Sequence, residues 1–203
     1  MQLGMVGLGR MGSGMTKRLE QHGHELKTYD PNVGSTAKTL RALAKQLDAP
    51  RHIWLMVPSG KVTEDTFQKL LDIVEPGDTI VDGGNSNFRD SKRRYAEARK
   101  RKVAFVDVGV SGGIWGLEVG FCLMAGGDKA PVKRLQPVFE ALAPENGWAH
   151  VGASGARASK IGSSRCTGSS SPPTIRQKPS SSPQIPPETP TSTNETFRLR
   201  ASL

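Results

Sequence analysis

The six residues Gly7-Leu8-Gly9-Arg10-Met11-Gly12 set three glycines at the spacing GxGxxG. If this turn holds a diphosphate, each glycine has its own task. Gly7 lets the chain turn sharply out of a strand, Gly9 lets backbone approach the ligand, and Gly12 lets the next helix pack against that strand. A helix opening here directs unsatisfied N–H groups and its positive end at the phosphates. Asp30 stands 18 residues beyond Gly12, where its carboxylate can accept hydrogen bonds from a ribose diol. A carboxylate there repels a 2′-phosphate, and Pro31-Asn32 offers no arginine to hold one, so NAD is favoured over NADP. The same letters also suit a glycine-rich turn without a ligand and, for Asp30, a cap or turn residue before Pro31.

Three more loops carry residues able to meet a ligand. Val57-Pro58-Ser59-Gly60 could run along a bound nucleotide. In Asp82-Gly83-Gly84-Asn85-Ser86-Asn87, paired glycines bring backbone close and Asn85 is both donor and acceptor. Asp107-Val108-Gly109-Val110-Ser111-Gly112-Gly113 presents a hydroxyl flanked by glycines. Each could be a plain turn when taken alone. Together they are expected at one edge of one sheet, beyond the carboxyl ends of its strands, where open α/β sheets bind ligands.

The elements that must position these loops alternate along the chain. Short β-rich runs cover 3–6, 25–29, 53–57, 79–81, 103–108 and 121–124. Between them, helical spacing predicts helices over 11–21, 35–47, 62–74, 90–102 and 131–142. Leu40, Leu43, Ala44 and Leu47 follow the 3, 4, 7 spacing that lays one helix face on a sheet. Strand and helix in strict succession mean right-handed crossovers, and the fold class expected is a doubly wound, mostly parallel α/β sheet.

Composition sets limits. Apolar residues make up 35% of 203, and 23 glycines add small packing positions, so a core is attainable. No apolar run approaches the roughly 20 residues of a membrane helix. The opening residues show no secretory pattern, so a cytoplasmic location is expected, with no membrane partner. Cys122 and Cys166 are too few for a disulfide framework or a cysteine-built zinc site. His22, His24, His52 and His150 lack metal-ligand spacing, so no metal is expected.

The net charge of +9 divides unevenly: residues 157–203 hold 7 Lys/Arg and 2 Asp/Glu, a surplus of +5. Those charges are scattered among 11 Ser, 7 Pro and 6 Thr with one aromatic, Phe197, which makes neither a basic stripe nor a stacking platform. Nucleic acid is therefore not expected as a partner. A segment of this composition cannot bury enough apolar area to offset its ordering entropy, so 157–203 reads as a disordered tail behind a domain over 1–156. Lys92-Arg93-Arg94 and Arg99-Lys100-Arg101-Lys102 read as the solvated face of a helix.

Turn 7–12, Asp82-Gly83-Gly84-Asn85-Ser86 and Ser111-Gly112-Gly113 together resemble the 6-phosphogluconate dehydrogenases of the β-hydroxyacid dehydrogenase superfamily. Ile114-Trp115-Gly116-Leu117-Glu118-Val119-Gly120-Phe121-Cys122-Leu123-Met124 is similar to their shorter, often NAD-preferring bacterial branch. The resemblance covers about 1–156 and implies a Rossmann domain. It implies that Gly7, Leu8, Gly9, Arg10, Met11, Gly12, Asp30, Val57, Pro58 and Ser59 contact the dinucleotide. Asn85 would touch cofactor and substrate, and Ser111, Gly112 and Gly113 would hold 6-phosphogluconate. The implied reaction, a step of the pentose phosphate pathway, is oxidation at C3 followed by β-decarboxylation to ribulose 5-phosphate and CO2. Another β-hydroxyacid dehydrogenase, such as one acting on 3-hydroxyisobutyrate, is the alternative enzyme.

The chain departs from this family after Ala156. The family's lysine base, in a Lys-Met-(Val)-His-Asn-Gly stretch, has no match in Arg157-Ala158-Ser159-Lys160-Ile161-Gly162. Lys160 lies near the expected place, but its neighbours differ, so no catalytic residue is assigned. The helical domain expected to follow, with the homo-oligomer interface, has no counterpart in the Ser/Pro-rich sequence. Permitted codons for residues 162–167, read two bases later, spell Phe-Ile-Lys-Met-His, which suggests a lost reading frame between Ala156 and Gly162. The literal chain then reads as a non-catalytic dinucleotide-binding fragment.

Overall fold

Alternating apolar runs and amphipathic segments fold, in a computed structural model, into a strand–helix succession over the described residues, 1–152. β1 (Gln2–Val6), α1 (Arg10–Gln21), β2 (Glu25–Tyr29), α2 (Leu40–Lys45) and β3 (His52–Leu55) come first. α3 (Lys61–Leu71), β4 (Thr79–Asp82), α4 (Phe88–Lys100) and β5 (Ala104–Ser111) continue the alternation. A single 3-10 turn (Gly113–Trp115) then leads through α5 (Gly116–Val119) to β6 (Cys122–Gly126), α6 (Lys129–Arg134), α7 (Gln136–Leu142) and β7 (Trp148–Gly152).

These strands form one sheet in the order β2-β1-β3-β4-β5-β6-β7. All neighbours run parallel except β5 and β6, which pair antiparallel from Asp107 opposite Gly126 to Ser111 opposite Cys122. The chain winds from β1 to β2 on one side and returns to β3 on the other, so the strand order reverses beside β1. A crevice opens at such a reversal, beyond the carboxyl ends of the strands.

Successive strand residues feed opposite faces of the sheet. Trp54, Val81 and Val106 pack in one apolar cluster with Met15 and Leu19 of α1 and Phe139 of α7. Ile53, Ile80 and Phe105 pack in the other with Leu43 of α2 and with Phe67 and Leu70 of α3. Edge-on ring pairs tie helices to strands on both faces, Trp54 to Phe139 at 6.0 Å and Phe67 to Phe105 at 5.7 Å. Strands covered on both faces are why β1, β3 and β4 read as unbroken apolar runs.

Four elements differ from the sequence expectation. The helix expected over 35–47 forms only as α2, because Thr36 binds Thr28 instead, with the Thr28 amide 2.7 Å from Thr36 Oγ1 and the Thr36 amide 3.0 Å from Thr28 Oγ1. Threonine hydroxyls offer the backbone this alternative to a helix. The helix expected over 131–142 starts earlier and breaks at Leu135, where Pro137 sits in the first turn of α7. β7 and α5 were not expected: β7 is a half-exposed edge strand without an apolar run, and α5 is four residues long. The tail expectation, Lys160 and the proposed frame change lie outside the described residues. No helix among the described residues is long and apolar enough to cross a membrane.

Candidate functional site

A cleft of about 1700 Å³ opens at the reversal in strand order. The turn after β1 lines it with Gly7, Gly9, Arg10, Met11 and Gly12, and the end of β2 adds Asp30. Val57, Pro58 and Ser59 after β3, Asn85 after β4 and Ser111 at the end of β5 complete the predicted wall. Of the residues singled out from sequence, Leu8, Gly112 and Gly113 do not line it.

The glycines of turn 7–12 are required for two different reasons. Gly7 has φ +94°, and a Cβ there would lie 2.5 Å from the Met56 carbonyl oxygen. A Cβ on Gly12 would lie 2.0 Å from the Gly7 carbonyl oxygen, so no side chain fits where α1 crosses β1. Gly9 is the opposite case: a Cβ would meet nothing within 4 Å. That open space faces the cleft, and Gly9 caps α1 without a side-chain bond, which leaves the amides of the first turn for an outside acceptor. Such a cradle fits a diphosphate.

Asp30 is a turn residue that also stands at the cleft wall. Its Oδ1 accepts from the amides of Asn32 (2.8 Å) and Val33 (3.2 Å), which makes it a turn residue. Its Oδ2 accepts the Leu8 amide at 2.7 Å, tying the end of β2 to the glycine turn. Leu8 therefore contributes its backbone and not the cleft wall. Burial alone would raise the Asp30 carboxyl, but the three amides outweigh it and hold the group below its ordinary value. A half-buried carboxylate kept charged at the cleft wall has lone pairs left for a diol.

The turn after β4 is built on charge. Arg94 of α4 donates from Nη1 to Asp82 Oδ2 (3.0 Å) and Ser86 Oγ (3.2 Å), and from Nε to Glu64 Oε2 of α3 (3.0 Å). Asp82 Oδ1 accepts the Gly84 amide at 3.1 Å. Burial pushes the Asp82 carboxyl up, with Ser86, Arg94 and the Gly84 amide opposing it. Glu64 is drawn down to about 2, chiefly by its bond with Arg93, against burial and with help from Gln68 and Arg94. This corrects the solvated-face expectation: Lys92, Arg93 and the 99–102 group are exposed, but the Arg94 side chain is 1% exposed. Sequence reasoning missed Arg94 because nothing in the letters separates it from its basic neighbours.

Beneath the same turn lies Trp54. A Cβ on Gly83 would come within 2.2 Å of Trp54 Nε1 and 2.7 Å of Met56 Sδ, so the paired glycines are partly a matter of floor space. Gly112 and Gly113 have structural reasons of their own. Both have positive φ, +142° and +54°, and a Cβ on Gly112 would press on Phe121 at 3.1 Å. The helical spacing of Val62, Thr66 and Lys69 in α3 could have revealed a further wall, and Arg41 of α2 lines the cleft as well. An arginine that Pro31-Asn32 does not supply is thus present elsewhere in the site. Among the described residues, no three His, Cys, Asp or Glu side chains cluster as a metal site would require.

A reversed strand order, a glycine-walled turn at a helix start and a carboxylate at the end of β2 define a Rossmann-type nucleotide-binding domain. Residues 2–152 match the family model described as the NAD binding domain of 6-phosphogluconate dehydrogenase, and the chain belongs to that family. It is 39% identical over 166 residues to the NAD(+)-dependent, decarboxylating 6-phosphogluconate dehydrogenase of Haloferax volcanii, covering 76% of this chain and 54% of that protein. Against the decarboxylating enzyme of Lactococcus lactis strain IL1403 it is 35% identical over 173 residues, covering 75% of this chain and 37% of that one. The chain thus spans about half or less of the length of these relatives. Plasmodium falciparum 6-phosphogluconate dehydrogenase shares the fold, with a TM-score of 0.72 and 24% identity over 78% of this chain and 38% of that one. Mycobacterium tuberculosis 3-hydroxyisobutyrate dehydrogenase is similar too, at 0.66 and 26%, over 76% and 55%.

Proposed function

We propose that this chain is the cofactor-binding part of a 6-phosphogluconate dehydrogenase and that its cleft takes NAD. The observation that carries the reading is the open space at Gly9, set between two glycines whose own space is filled by backbone. Gly9 and the amides of Arg10, Met11 and Gly12 would hold the diphosphate, Asp30 the adenosine ribose, and Val57, Pro58 and Ser59 the flank of the dinucleotide. A bound nicotinamide would supply the hydride acceptor for oxidation of a sugar hydroxyl. Asn85 and Ser111, at the far side of the cleft, would orient that sugar acid, with backbone help from Gly112 and Gly113.

Preference for NAD rests on the charged Asp30 at the wall, which disfavours a 2′-phosphate; Arg41 is the residue able to oppose it. Titrating the full chain with NADH and NADPH tests the reading, with tighter binding of NADH expected and no binding of either sinking it. Because the sequence carries no Lys-Met-His-Asn-Gly stretch, the literal chain is expected to bind without turning over 6-phosphogluconate. Measurable turnover would refute that part. The lost reading frame is checked by sequencing independent transcripts from the codon of Gly152 onward. A cytoplasmic place in the pentose phosphate pathway goes with this reading. The likeness to a 3-hydroxyisobutyrate dehydrogenase favours a second substrate class. Cofactor reduction with each acid, by a frame-restored chain, separates the two.

A further inference from the structure

We propose that Arg94 is a positioning residue, which sets the turn 82–86 so that Asn85 faces the cleft. The proposal deepens the reading above and rests on it for the identity of the bound nucleotide. The geometry comes first. Asn85 is exposed and lines the cleft, but it is held by the residues that bracket its turn, Asp82 at the end of β4 and Ser86 just before the helix cap. One guanidinium nitrogen, Arg94 Nη1, binds both Asp82 and Ser86. The other donor used, Nε, is anchored to Glu64 on α3, so the bracket is tied to a second helix along the cleft.

A buried ion pair is a weak source of net stability, because desolvation offsets much of the attraction, and an apolar side chain of similar volume often serves as well. What an apolar side chain cannot do is fix two polar ends of a loop at once. A guanidinium can hold Asp82 and Ser86 through Nη1 while Nε reaches Glu64 on another helix; lysine, with all its donors on one nitrogen, cannot serve both places. The clamp's contribution is therefore expected in the setting of the turn more than in the melting temperature. Asp82 Oδ1 extends the same hold inward by accepting the Gly84 amide beside Asn85.

Two variants of the full chain, Arg94→Lys and Ser86→Ala, test the proposal against Val138→Ala, which opens a small cavity at a buried residue of α7 outside the Arg94 network. Hydrogen–deuterium exchange is read without nucleotide, and NADH affinity is read by titration. Both clamp variants are expected to speed exchange in 82–86 and to leave 2–12 unchanged, while weakening NADH binding about five- to tenfold, the scale of one ordinary hydrogen bond. Val138→Ala is expected to lower the melting temperature and move neither readout. Unchanged exchange in 82–86 of Ser86→Ala overturns the proposal, even if Arg94→Lys fails to fold. Faster exchange there with unchanged NADH affinity also overturns it, since the turn would then move without consequence at the site. If the unmodified chain binds no NADH, the cofactor reading fails and the exchange result still decides the clamp.

Discussion

The two glycine turns of the cleft hold their shape by different means. Turn 7–12 is fixed by backbone on backbone: the space a side chain would need at Gly7 or Gly12 is occupied by carbonyl groups of Met56 and Gly7. A single carboxylate, Asp30, adds one bond to the Leu8 amide. Turn 82–86 has side chains for its frame, with Trp54 and Met56 below Gly83 and the Arg94 network behind Asp82 and Ser86. A turn built from backbone has no tolerance for change, because nothing in it can swing aside. A turn built from side chains can yield by degrees. The first should break abruptly and the second should loosen.

Gly12→Ala is the sharpest way to test that contrast. A methyl 2.0 Å from a carbonyl oxygen forces α1 off β1, and we expect either no folded protein or a loss of at least about 3 kcal/mol by denaturant titration, with NADH binding abolished. A folded, NADH-binding variant would show that the first turn also yields. Gly83→Ala should cost less, about 1–3 kcal/mol, because Trp54 and Met56 can shift within a packed core. Urea midpoints of the two variants rank the turns directly.

Gly9→Ala separates fold from ligand within the first turn. Its Cβ meets nothing, and φ −61° with ψ −176° suits any residue, so stability should change by no more than about 0.5 kcal/mol. NADH affinity should fall about tenfold, since the methyl would stand where a diphosphate must approach. Equal affinity for variant and parent would remove the main support for a diphosphate at this position.

The same contrast explains what was readable in the letters. Turn 7–12 was legible because backbone crowding leaves glycine as the sole solution at Gly7 and Gly12, and glycine is visible in a sequence. The doubly wound sheet was legible because strands buried on both faces, such as β3, appear as apolar runs. Arg94 was not, since its burial depends on Asp82, Ser86 and Glu64 converging from three parts of the chain. Gly112 and Gly113 are ambiguous for a related reason: both take positive φ and Gly112 makes room for Phe121, and sequence cannot tell a glycine that makes room for a ligand from one that makes room for a ring. β7 gave no signal because an edge strand with half-exposed faces needs no apolar run.

The smallest effect expected is a pH dependence confined to the charge-built turn. Glu64 is held near 2 in the folded chain against an ordinary 4.5, so folding favours its ionised form. Its contribution is whole above about 4.5 and is lost as pH falls from there through about 2. Glu64→Gln removes the titrating group while keeping an acceptor for Arg94. The melting temperature of the parent should exceed that of Glu64→Gln at pH 6, and the gap should close as pH is lowered from 4.5 towards 2.5. The gap should be modest, because Arg93, the chief partner, is exposed and solvent screens such pairs. A gap that stays constant over that range would mean that Glu64 acts by shape alone.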